Sequence, residues 1–406
     1  MAPFAVPGSR LLRLAGLLAL AAAAGLALAP AASAAPAAPV AGGPPPPETA
    51  PAKVVWSFAL SGDSRDCGDL VMPKIAAAVA AEEAPGIDLF WHLGDLRRMY
   101  DIDCDILKRT DPAYDCKGRP IAGLPDQAMG DYLNAAWGDA ADRQLKPFGK
   151  TPVLLGIGNH ELMGRTRDDF RGAFQPWLTQ KLLHVQRGID AGRGIYTTEG
   201  DTSYHVVVKG VDLIYLDNAD EKAFTAQQLL WLSRILAEDA KNASVKTIVV
   251  GLHAALPSST WRGHAMDSSC QGICSGRQAY DLLFRARRLS GPPEKRKHVY
   301  VFSSHSHLYA ENVYDTPEHA GQVLPGWIVG TAGAQQYSDV ISYGYVRVDV
   351  NADGTITPRY RPVTRTAPPA TGPSEEPLVD FCFKDNKGQW WNDEYKGPCA
   401  CGAATP

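Results

Sequence analysis

Five short polar clusters, each placed directly after an apolar run, constrain this chain more than any other feature of its sequence. The clusters are Gly62-Asp63-Ser64-Arg65, Gly94-Asp95, Gly158-Asn159-His160-Glu161, His253 and His305-Ser306-His307. The preceding runs have the composition of buried strands and lie at 54–60, 89–93, 152–157, 247–252 and 298–302. Because ligands gather at the carboxyl ends of strands in open α/β sheets, we expect the five clusters to converge on one sheet edge.

The order of strand and helix patterns predicts an α/β fold. Strand-like runs alternate with helical patterns at 70–81, 126–145, 168–183, 225–239 and 278–289. A hairpin is predicted where 203–208 and 211–216 flank Lys209-Gly210, and later strands at 327–329, 343–350 and 355–361. Alternation in one part and a hairpin in another predict a mixed sheet, or two packed sheets, with helices outside. Residues 97–126 and 254–275 are expected to be loops that select the substrate.

The residue types in the clusters are those of a transition-metal site. Asp, Asn and His donate oxygen and nitrogen to divalent metals, and this mixture suits Mn, Fe or Zn alike. Gly94 allows a tight turn and a close approach beside Asp95, whose carboxylate can bridge two cations. Two metals about 3.5–4 Å apart polarise a phosphoryl group and lower the pKa of water. A nearby imidazolium can then protonate the leaving group.

In this order, the clusters resemble the calcineurin-like metallophosphoesterases, a superfamily that includes purple acid phosphatases. The resemblance covers about residues 54–350 and is most specific at Gly158-Asn159-His160-Glu161. It implies a β-sandwich flanked by helices and hydrolysis of phosphate esters by a metal-activated water, without a covalent enzyme intermediate. It also implies two divalent ions bridged by Asp95, with His160 as the catalytic imidazole. The remaining ligands it implies are Asp63 and His307 for the first ion, and Asn159, His253 and His305 for the second.

The first cluster departs from the family pattern, which is commonly Asp-x-His. Arg65 stands where that pattern has His, and a guanidinium stays protonated and cannot bind a metal. Purple acid phosphatases use a Tyr three residues after the bridging Asp, where this chain has Arg98, so a ferric–tyrosinate centre is not expected. Asp63, Asp95 and His307 remain as ligands of the first ion, with water, Asp66 or Asp69 as candidates to complete the set. Both arginines are expected either in surface salt bridges or on substrate phosphate oxygens, which a bidentate guanidinium fits.

Two further histidines lie near these clusters. His264 follows His253 by eleven residues, at a spacing similar to that of a substrate-facing His in purple acid phosphatases. We predict that His264 protonates the leaving group or binds phosphate. His92 lies within an apolar run and is expected to be packed in the core.

The N-terminal residues predict export to the periplasm or the extracellular space. Arg10 and Arg13 precede an apolar run at 14–29, and Ala32-Ser33-Ala34 follows, as in a secretory signal peptide. An uncleaved anchor is the alternative, although the run is shorter than the roughly 20 residues of a membrane span. The predicted divisions are a signal at 1–34, an Ala/Pro-rich linker at 35–52, the phosphoesterase domain at 53–365 and a Pro-rich, then Cys-rich, tail at 366–406. No stable membrane insertion is expected after cleavage.

The charge of the chain limits its partners. A formal net charge of −4 implies no general attraction to nucleic acid or anionic lipid. The expected partner is a small phosphate ester, with the oligomeric state left open. One alternative is a non-catalytic metal- or phosphate-binding protein with a degenerate first metal site. Another is an enzyme with one tightly held metal and a different substrate.

Eight cysteines in a chain predicted to be exported predict disulfides. Short separations favour the pairs Cys104–Cys116 and Cys270–Cys274. Cys382 is then expected to pair with Cys399 or Cys401, or the tail is expected to reach back to Cys67.

Overall fold

Two mixed β-sheets form the centre of the structure, a computed structural model that describes residues 53–97, 126–196, 202–219, 222–289, 296–337, 341–363, 379–388 and 395–401. The first sheet has the order β11-β10-β1-β2-β3, and the second β4-β5-β6-β7-β9-β8. The strands are β1 Val54–Ser61, β2 Ile87–His92, β3 Val153–Leu155, β4 Tyr204–Val208, β5 Val211–Leu216, β6 Thr247–Leu252, β7 His298–Ser303, β8 Tyr309–Glu311, β9 Gly326–Val329, β10 Gly344–Asn351 and β11 Ile356–Pro362. The predicted fold class is confirmed.

The strand directions bring the polar clusters to one edge. In the first sheet, β1, β2 and β3 run parallel. In the second sheet, β5, β6, β7 and β9 run parallel. The residues of β5 and β6 are all buried, as expected for central strands covered on both faces. The carboxyl ends of parallel strands therefore open on the same side of each sheet.

Aromatic side chains join the two sheets face to face. The ring of Trp91 on β2 lies 6.3 Å from the ring of Tyr215 on β5, in an edge-to-face arrangement. Trp91 Nε1 also donates a hydrogen bond of 2.9 Å to the hydroxyl of Tyr204 on β4. Gly251 on β6 makes room for Trp91, because a Cβ there would come within 2.6 Å of the indole ring. The sheets therefore share one core.

Helices cover the outer faces of the sheets. The described helices are α1 Gly68–Ala80, α2 Asp126–Asp139 with a π-helical turn Ala140–Leu145, α3 Arg167–Ala173, α4 Gln175–Leu178, α5 Lys181–Gly192, α6 Ala226–Lys241 and α7 Cys270–Leu289. The side chain of Thr225 caps α6 by accepting the Gln228 N–H. The apolar stripe of α6, which includes Leu232 and Ile235, packs with α7 over the second sheet. None of the described helices has the length and apolar character to cross a membrane.

Two helix predictions differ from the structure. The single helix expected at 168–183 is divided, because Pro176 in the first turn of α4 cannot continue a preceding helix. The last helix begins at Cys270 rather than at 278, inside the predicted loop 254–275. Gly276 weakens the helical pattern there but is required by packing, because a Cβ at this position would lie 2.3 Å from Pro257 Cδ.

The described disulfides tie the C-terminal tail to the sheets and to α7. They are Cys67–Cys382, Cys270–Cys399 and Cys274–Cys401, each with Cα atoms 5.2–5.7 Å apart. The predicted pair Cys270–Cys274 is wrong, because these residues lie one turn apart on α7 and face the tail together. The predicted return of the tail to Cys67 is confirmed. The predicted pair of Cys104 and Cys116 lies outside the described residues.

A buried charge cluster lies between the second sheet and its helices. His205 Nδ1 is 2.8 Å from Asp212 Oδ2, and His205 Nε2 is 2.9 Å from Asp190 Oδ2. Burial lowers the pKa of His205, but the carboxylates of Asp212 and Asp190 outweigh it and raise the pKa to about 10. Burial and the neighbouring Asp212 raise the pKa of Asp239 to about 9. Both groups therefore hold protons that the unfolded chain would release near neutral pH.

This cluster predicts a stability that falls as pH rises. The contribution of His205 is complete below about pH 6.5, the unfolded pKa, and is lost as pH approaches 10. His205→Gln should lower the free energy of unfolding by about 3 kcal/mol at pH 6 and flatten its decline toward pH 10. Urea denaturation at a series of pH values measures both effects.

The matched control is His184→Gln, because His184 is exposed on α5. That variant should keep the pH dependence of the native protein. An unchanged pH dependence in His205→Gln would show that the cluster does not govern it.

Candidate metal centre

Four buried side chains from four polar clusters meet at the edge where the two sheets open. Ligand atoms of Asp63, Asp95, His253 and His305 all lie within 4.8 Å of one another. Asp63 follows β1, Asp95 follows β2, and the two histidines follow β6 and β7. The expected convergence of these clusters is therefore found in the structure.

Unusual backbone conformations direct these side chains inward. Asp63, Asp95 and His305 have φ of 58°, 58° and 65°, in the left-handed region that L residues rarely adopt. Such strain is typical of functional sites. Gly158 permits the approach of its loop, because a Cβ there would lie 2.2 Å from Asp95 Oδ1. The backbone geometry of these three residues therefore favours a functional site over ordinary turns.

The contacts of His253 define its tautomer. Nδ1 lies 3.1 Å from the carbonyl oxygen of Leu93, an acceptor only, so Nδ1 carries the hydrogen. Nε2 then presents a lone pair and lies 3.0 Å from Asn159 Oδ1, 3.4 Å from Asp95 Oδ1 and 3.0 Å from His305 Nδ1. Metal-binding histidines commonly donate their other N–H to a carbonyl in this way.

The donor atoms fit a cation. Oxygen and nitrogen ligands about 2.1 Å from a metal lie roughly 3.0–3.5 Å from each other, which is the spacing around His253 Nε2. Within the described chain, the buried Asp63 Oδ1 and Asp95 Oδ2 accept no hydrogen bond. A buried carboxylate oxygen without a donor is costly, and a metal ion would satisfy it.

The electrostatic field of the centre favours positive charge. Burial raises the pKa of Asp95, but His253 and His160 outweigh it and hold the pKa well below its usual value. Burial raises the pKa of Asp63 to about 7, and the Asp95 charge adds to the rise. Burial lowers the pKa of His253, but the Asp95 carboxylate raises it to about 9. The anionic field that favours a proton on His253 equally favours a metal cation.

Arg65 lies inside the centre. It is 8% exposed, so it is not a surface arginine. One guanidinium nitrogen lies 3.1 Å from His307 Nε2, and the other contacts His160 Nε2 and lies 4.0 Å from Asp95 Oδ2. Arg98, the second arginine predicted to contact phosphate, lies outside the described residues. The preceding residue, Arg97, forms buried ion pairs with Asp69 and Asp139.

His160 lies beside the cluster, on a short 3₁₀ turn that begins at Asn159. Its backbone N–H donates a hydrogen bond of 3.0 Å to Asp95 Oδ1. Its ring nitrogen Nε2 lies 3.9 Å from Asp95 Oδ2. The ring is thereby placed next to the carboxylate that the resemblance assigns as the bridge.

His264 forms part of an aromatic wall over the centre. Its ring centroid lies 5.0 Å from that of His305 and 5.1 Å from that of Tyr337. Tyr337 in turn stacks on His307, with centroids 4.6 Å apart. Burial, with help from Lys222 and Arg65, lowers the pKa of His264 to about 3. His264 is therefore neutral at ordinary pH, where it can donate a hydrogen bond but carries no charge.

Three supporting residues were not assigned a role from the sequence. Glu161 accepts hydrogen bonds from the backbone N–H groups of Gly158, Asp95 and Leu96 at 2.6, 2.9 and 2.8 Å. Asn218 Oδ1 accepts a hydrogen bond of 3.0 Å from the backbone N–H of His253, and the ring of Tyr337 stacks on His307. Glu161 belongs to the Gly-Asn-His-Glu motif, so its role could have been predicted from the sequence. Asn218 and Tyr337 have no local signal, because they act through contacts distant in sequence.

His92 is packed in the core, as predicted. Its side chain is fully buried, and Nε2 lies 2.9 Å from the hydroxyl of Ser64. Burial lowers its pKa to about 3, so the ring is neutral. His92 therefore supports the first cluster and is not directed at the metal-binding atoms.

Three solved structures are similar to this chain over part of their length. A purple acid phosphatase, PPD1, from yellow lupin (Lupinus luteus) seeds is 13% identical, with a TM-score of 0.46, and 77% of this chain and 52% of that chain are covered. GAP50, described as the anchor in the inner membrane complex of Plasmodium, is 13% identical, with a TM-score of 0.41 and coverage of 77% and 86%. A 5′-nucleotidase from Candida albicans is 12% identical, with a TM-score of 0.38 and coverage of 77% and 53%. This chain spans about half the length of the lupin and Candida proteins.

No match was found among curated protein sequences. The family model described as calcineurin-like phosphoesterase matches residues 67–309, which include Asp95, Asn159, His160, His253 and His305. The matched region begins after Asp63 and Arg65. Because it spans more than half of the 406 residues, the protein belongs to the calcineurin-like phosphoesterase family.

Proposed function

We propose that this protein is an exported, metal-dependent phosphoesterase that hydrolyses small phosphate esters. The observation that supports this most is the cluster of Asp63, Asp95, His253 and His305, whose buried ligand atoms lie within 4.8 Å of one another. Buried carboxylate oxygens without hydrogen-bond donors supply the negative charge that a cation requires. Membership of a phosphoesterase family makes a phosphate ester the substrate class that fits this centre.

A divalent cation, when bound, supplies positive charge that polarises a phosphoryl oxygen and lowers the pKa of water. The described residues that would hold it are Asp63, Asp95, His253 and His305, with the Asn159 amide oxygen beside them. Mn, Fe and Zn all suit these ligands. The nearby His307 presents Nε2 to the same region, 3.5 Å from Asp63 Oδ1.

Residues beside the cluster are assigned to the protonation of the leaving group. Hydrolysis forms a bond between a water oxygen and phosphorus, and breaks the bond between phosphorus and the ester oxygen. The departing oxygen needs a proton, and we assign its delivery to the imidazole of His160, whose Nε2 lies 3.9 Å from Asp95 Oδ2. The backbone of His160 is held by the hydrogen bond from its N–H to Asp95 Oδ1.

His264 is assigned to the phosphate rather than to the leaving group. A histidine whose pKa is lowered to about 3 carries no proton to transfer as an imidazolium near neutral pH. It can still donate a neutral hydrogen bond to a phosphoryl oxygen. The ring lies near the centre, 5.0 Å from His305 and 6.4 Å from His307 between ring centroids.

Export is supported by the disulfides. The described chain contains three, and disulfides persist mainly in oxidising compartments outside the cytosol. They agree with the secretory signal predicted at 1–34. Recovery of the mature chain from the periplasm or medium, with an N-terminus near residue 35, would establish export directly.

The proposed metal centre can be tested by hydrolysis and by metal content. The purified protein should hydrolyse an aryl phosphate monoester or diester with added Mn, Zn or Fe. Asp95→Asn should lose bound metal and lower turnover by about 100-fold or more, because the central carboxylate is neutralised. Metal analysis and chromogenic assays measure the two effects.

Asp168→Asn is the control, because Asp168 is an exposed acid on α3. It should keep both metal and turnover. The enzyme assignment fails if neither ester is hydrolysed with any of the three metals while Asn159→Ala binds metal like the native protein. That result would favour the non-catalytic alternative.

The role assigned to His264 can be tested by substitution. His264→Ala should lower kcat by about 100-fold through loss of a hydrogen bond to the phosphoryl group, and leave metal content intact. Metal analysis and steady-state kinetics on the same preparations separate the two roles. His184→Ala, an exposed histidine on α5, is the control. Unchanged kinetics in His264→Ala would remove this residue from the site.

A further inference from the structure

We infer that the Arg65 guanidinium takes the place of one of the two metal ions implied by the family pattern, so that the centre binds a single divalent cation beside a fixed organic cation. The inference deepens the proposed function and concerns the same site. It rests on that function only for the role of the substrate phosphate. The number of bound ions is a separate property that can be measured without substrate.

The position of the guanidinium supports this substitution. By the resemblance, the first ion would be held by Asp63, Asp95 and His307. Arg65 directs one nitrogen to His307 Nε2 at 3.1 Å, and its other terminal nitrogen lies 4.0 Å from Asp95 Oδ2. The guanidinium thus faces two of the three side chains that would bind this ion. Arginine has no lone pair to offer a metal, so it competes for the position instead of completing it.

His307 has the tautomer of a metal ligand, but Arg65 occupies the nitrogen that would bind the ion. Nδ1 lies 2.6 Å from the carbonyl oxygen of Gln335, so the ring hydrogen is on Nδ1. Nε2 is then the acceptor, and it receives the N–H of Arg65 at 3.1 Å. The stacking of Tyr337 on the ring restricts its rotation. The lone pair that would bind the first ion is therefore engaged by Arg65.

The backbone around Arg65 is held on both sides. The N–H groups of Ser64 and Arg65 both donate to the carbonyl of Asp95, at 2.9 and 3.2 Å. The carboxylate of Asp66 accepts the Gln335 N–H at 3.0 Å, and Cys67 is bonded to Cys382. The backbone that carries Arg65 is therefore held beside the centre.

Charge also disfavours a second ion. Arg65 remains protonated at all working pH values, and it is buried where water screens charge weakly. A second divalent cation among Asp63, Asp95 and His307 would meet this positive charge at close range. Burial lowers the pKa of Arg65, but the charges of Asp66, Asp95 and Asp63 outweigh it and raise the pKa. The positive charge that a second ion would add is thus already present.

The remaining ligands suffice for one ion. Asp63, Asp95, His253 and His305 form the group of mutually close ligand atoms found in the described chain, and this group excludes His307. The Asn159 amide oxygen lies 3.0 Å from His253 Nε2 and joins the same side of the centre. The arrangement is therefore one cation site with an arginine at its border. When a phosphate ester is bound, the guanidinium can donate to its oxygens in the bidentate geometry that arginine favours.

The number of bound ions tests the inference. The full chain is stripped with a chelator, reloaded with Mn²⁺ or Zn²⁺, dialysed and analysed by elemental mass spectrometry, with calorimetric titration as a second measure. We expect one ion per chain in the native protein and two in Arg65→His, which restores the common Asp-x-His pattern. Arg65→Lys, which keeps the charge, should bind one. Circular dichroism shows whether each variant is folded.

Two ions in the native protein would overturn the inference, whichever variants fold. One ion in both the native protein and folded Arg65→His would overturn the assignment to Arg65. These outcomes are distinct from the hydrolysis assay, because a two-ion protein that hydrolyses esters leaves the proposed function intact. A protein that binds one ion but hydrolyses neither ester would support the inference and contradict the proposed function.

The role in phosphate binding has its own measurement. Arg65→Lys should raise the Kd for inorganic phosphate by about tenfold, without a change in ion number, because lysine lacks the bidentate fork. Arg171→Lys, an arginine on α3 paired with Asp168, is the control and should leave both values unchanged. An unchanged Kd in Arg65→Lys would show that the guanidinium does not bind phosphate.

Discussion

The centre depends on one buried carboxylate that binds no metal, that of Glu161. It accepts backbone hydrogen bonds from Gly158, Asp95 and Leu96, and so joins the loop after β2 to the loop after β3. Asp95 projects from this junction with a strained backbone, and the bonds to Glu161 offset that strain. The hydrogen bonds to Glu161 fix the position of Asp95, and His160, His253 and Arg65 all contact Asp95 in that position.

A pair of cations of different kinds is one solution to the charge of such a site. A metal ion is exchangeable, and its affinity depends on the protonation of its ligands. A guanidinium is permanent, keeps its charge at every ordinary pH, and has a fixed direction. Arg65 stands where a metal ligand is common in the family. Part of the positive charge of the site is therefore carried by a side chain of the protein. The rest of the charge depends on the supply of metal.

The parts of this structure that were predictable from the sequence are those determined locally. Apolar runs followed by Gly-Asp or by His predicted β1, β2, β6 and β7. The polar residues after these runs were correctly predicted to meet at one edge of the sheets. The beginning of α7 was missed because Gly276 serves packing against Pro257, which no local pattern shows. The roles of Asn218 and Tyr337 depend on contacts with His253 and His307 across the fold. The disulfides of Cys270 and Cys274 likewise depend on the path of the tail.

The disulfide between Cys67 and Cys382 has a consequence for the order of events during synthesis. The two cysteines are 315 residues apart, and the first lies two positions after Arg65. The antiparallel partner of β1 is β10, which is also made late. The loop that carries Asp63 and Arg65 therefore lacks this disulfide, and β1 lacks its antiparallel partner, until residues 344–382 have been synthesised. A chain that ends before residue 344 contains every residue of the proposed metal site but neither of these two restraints on the loop that carries Arg65.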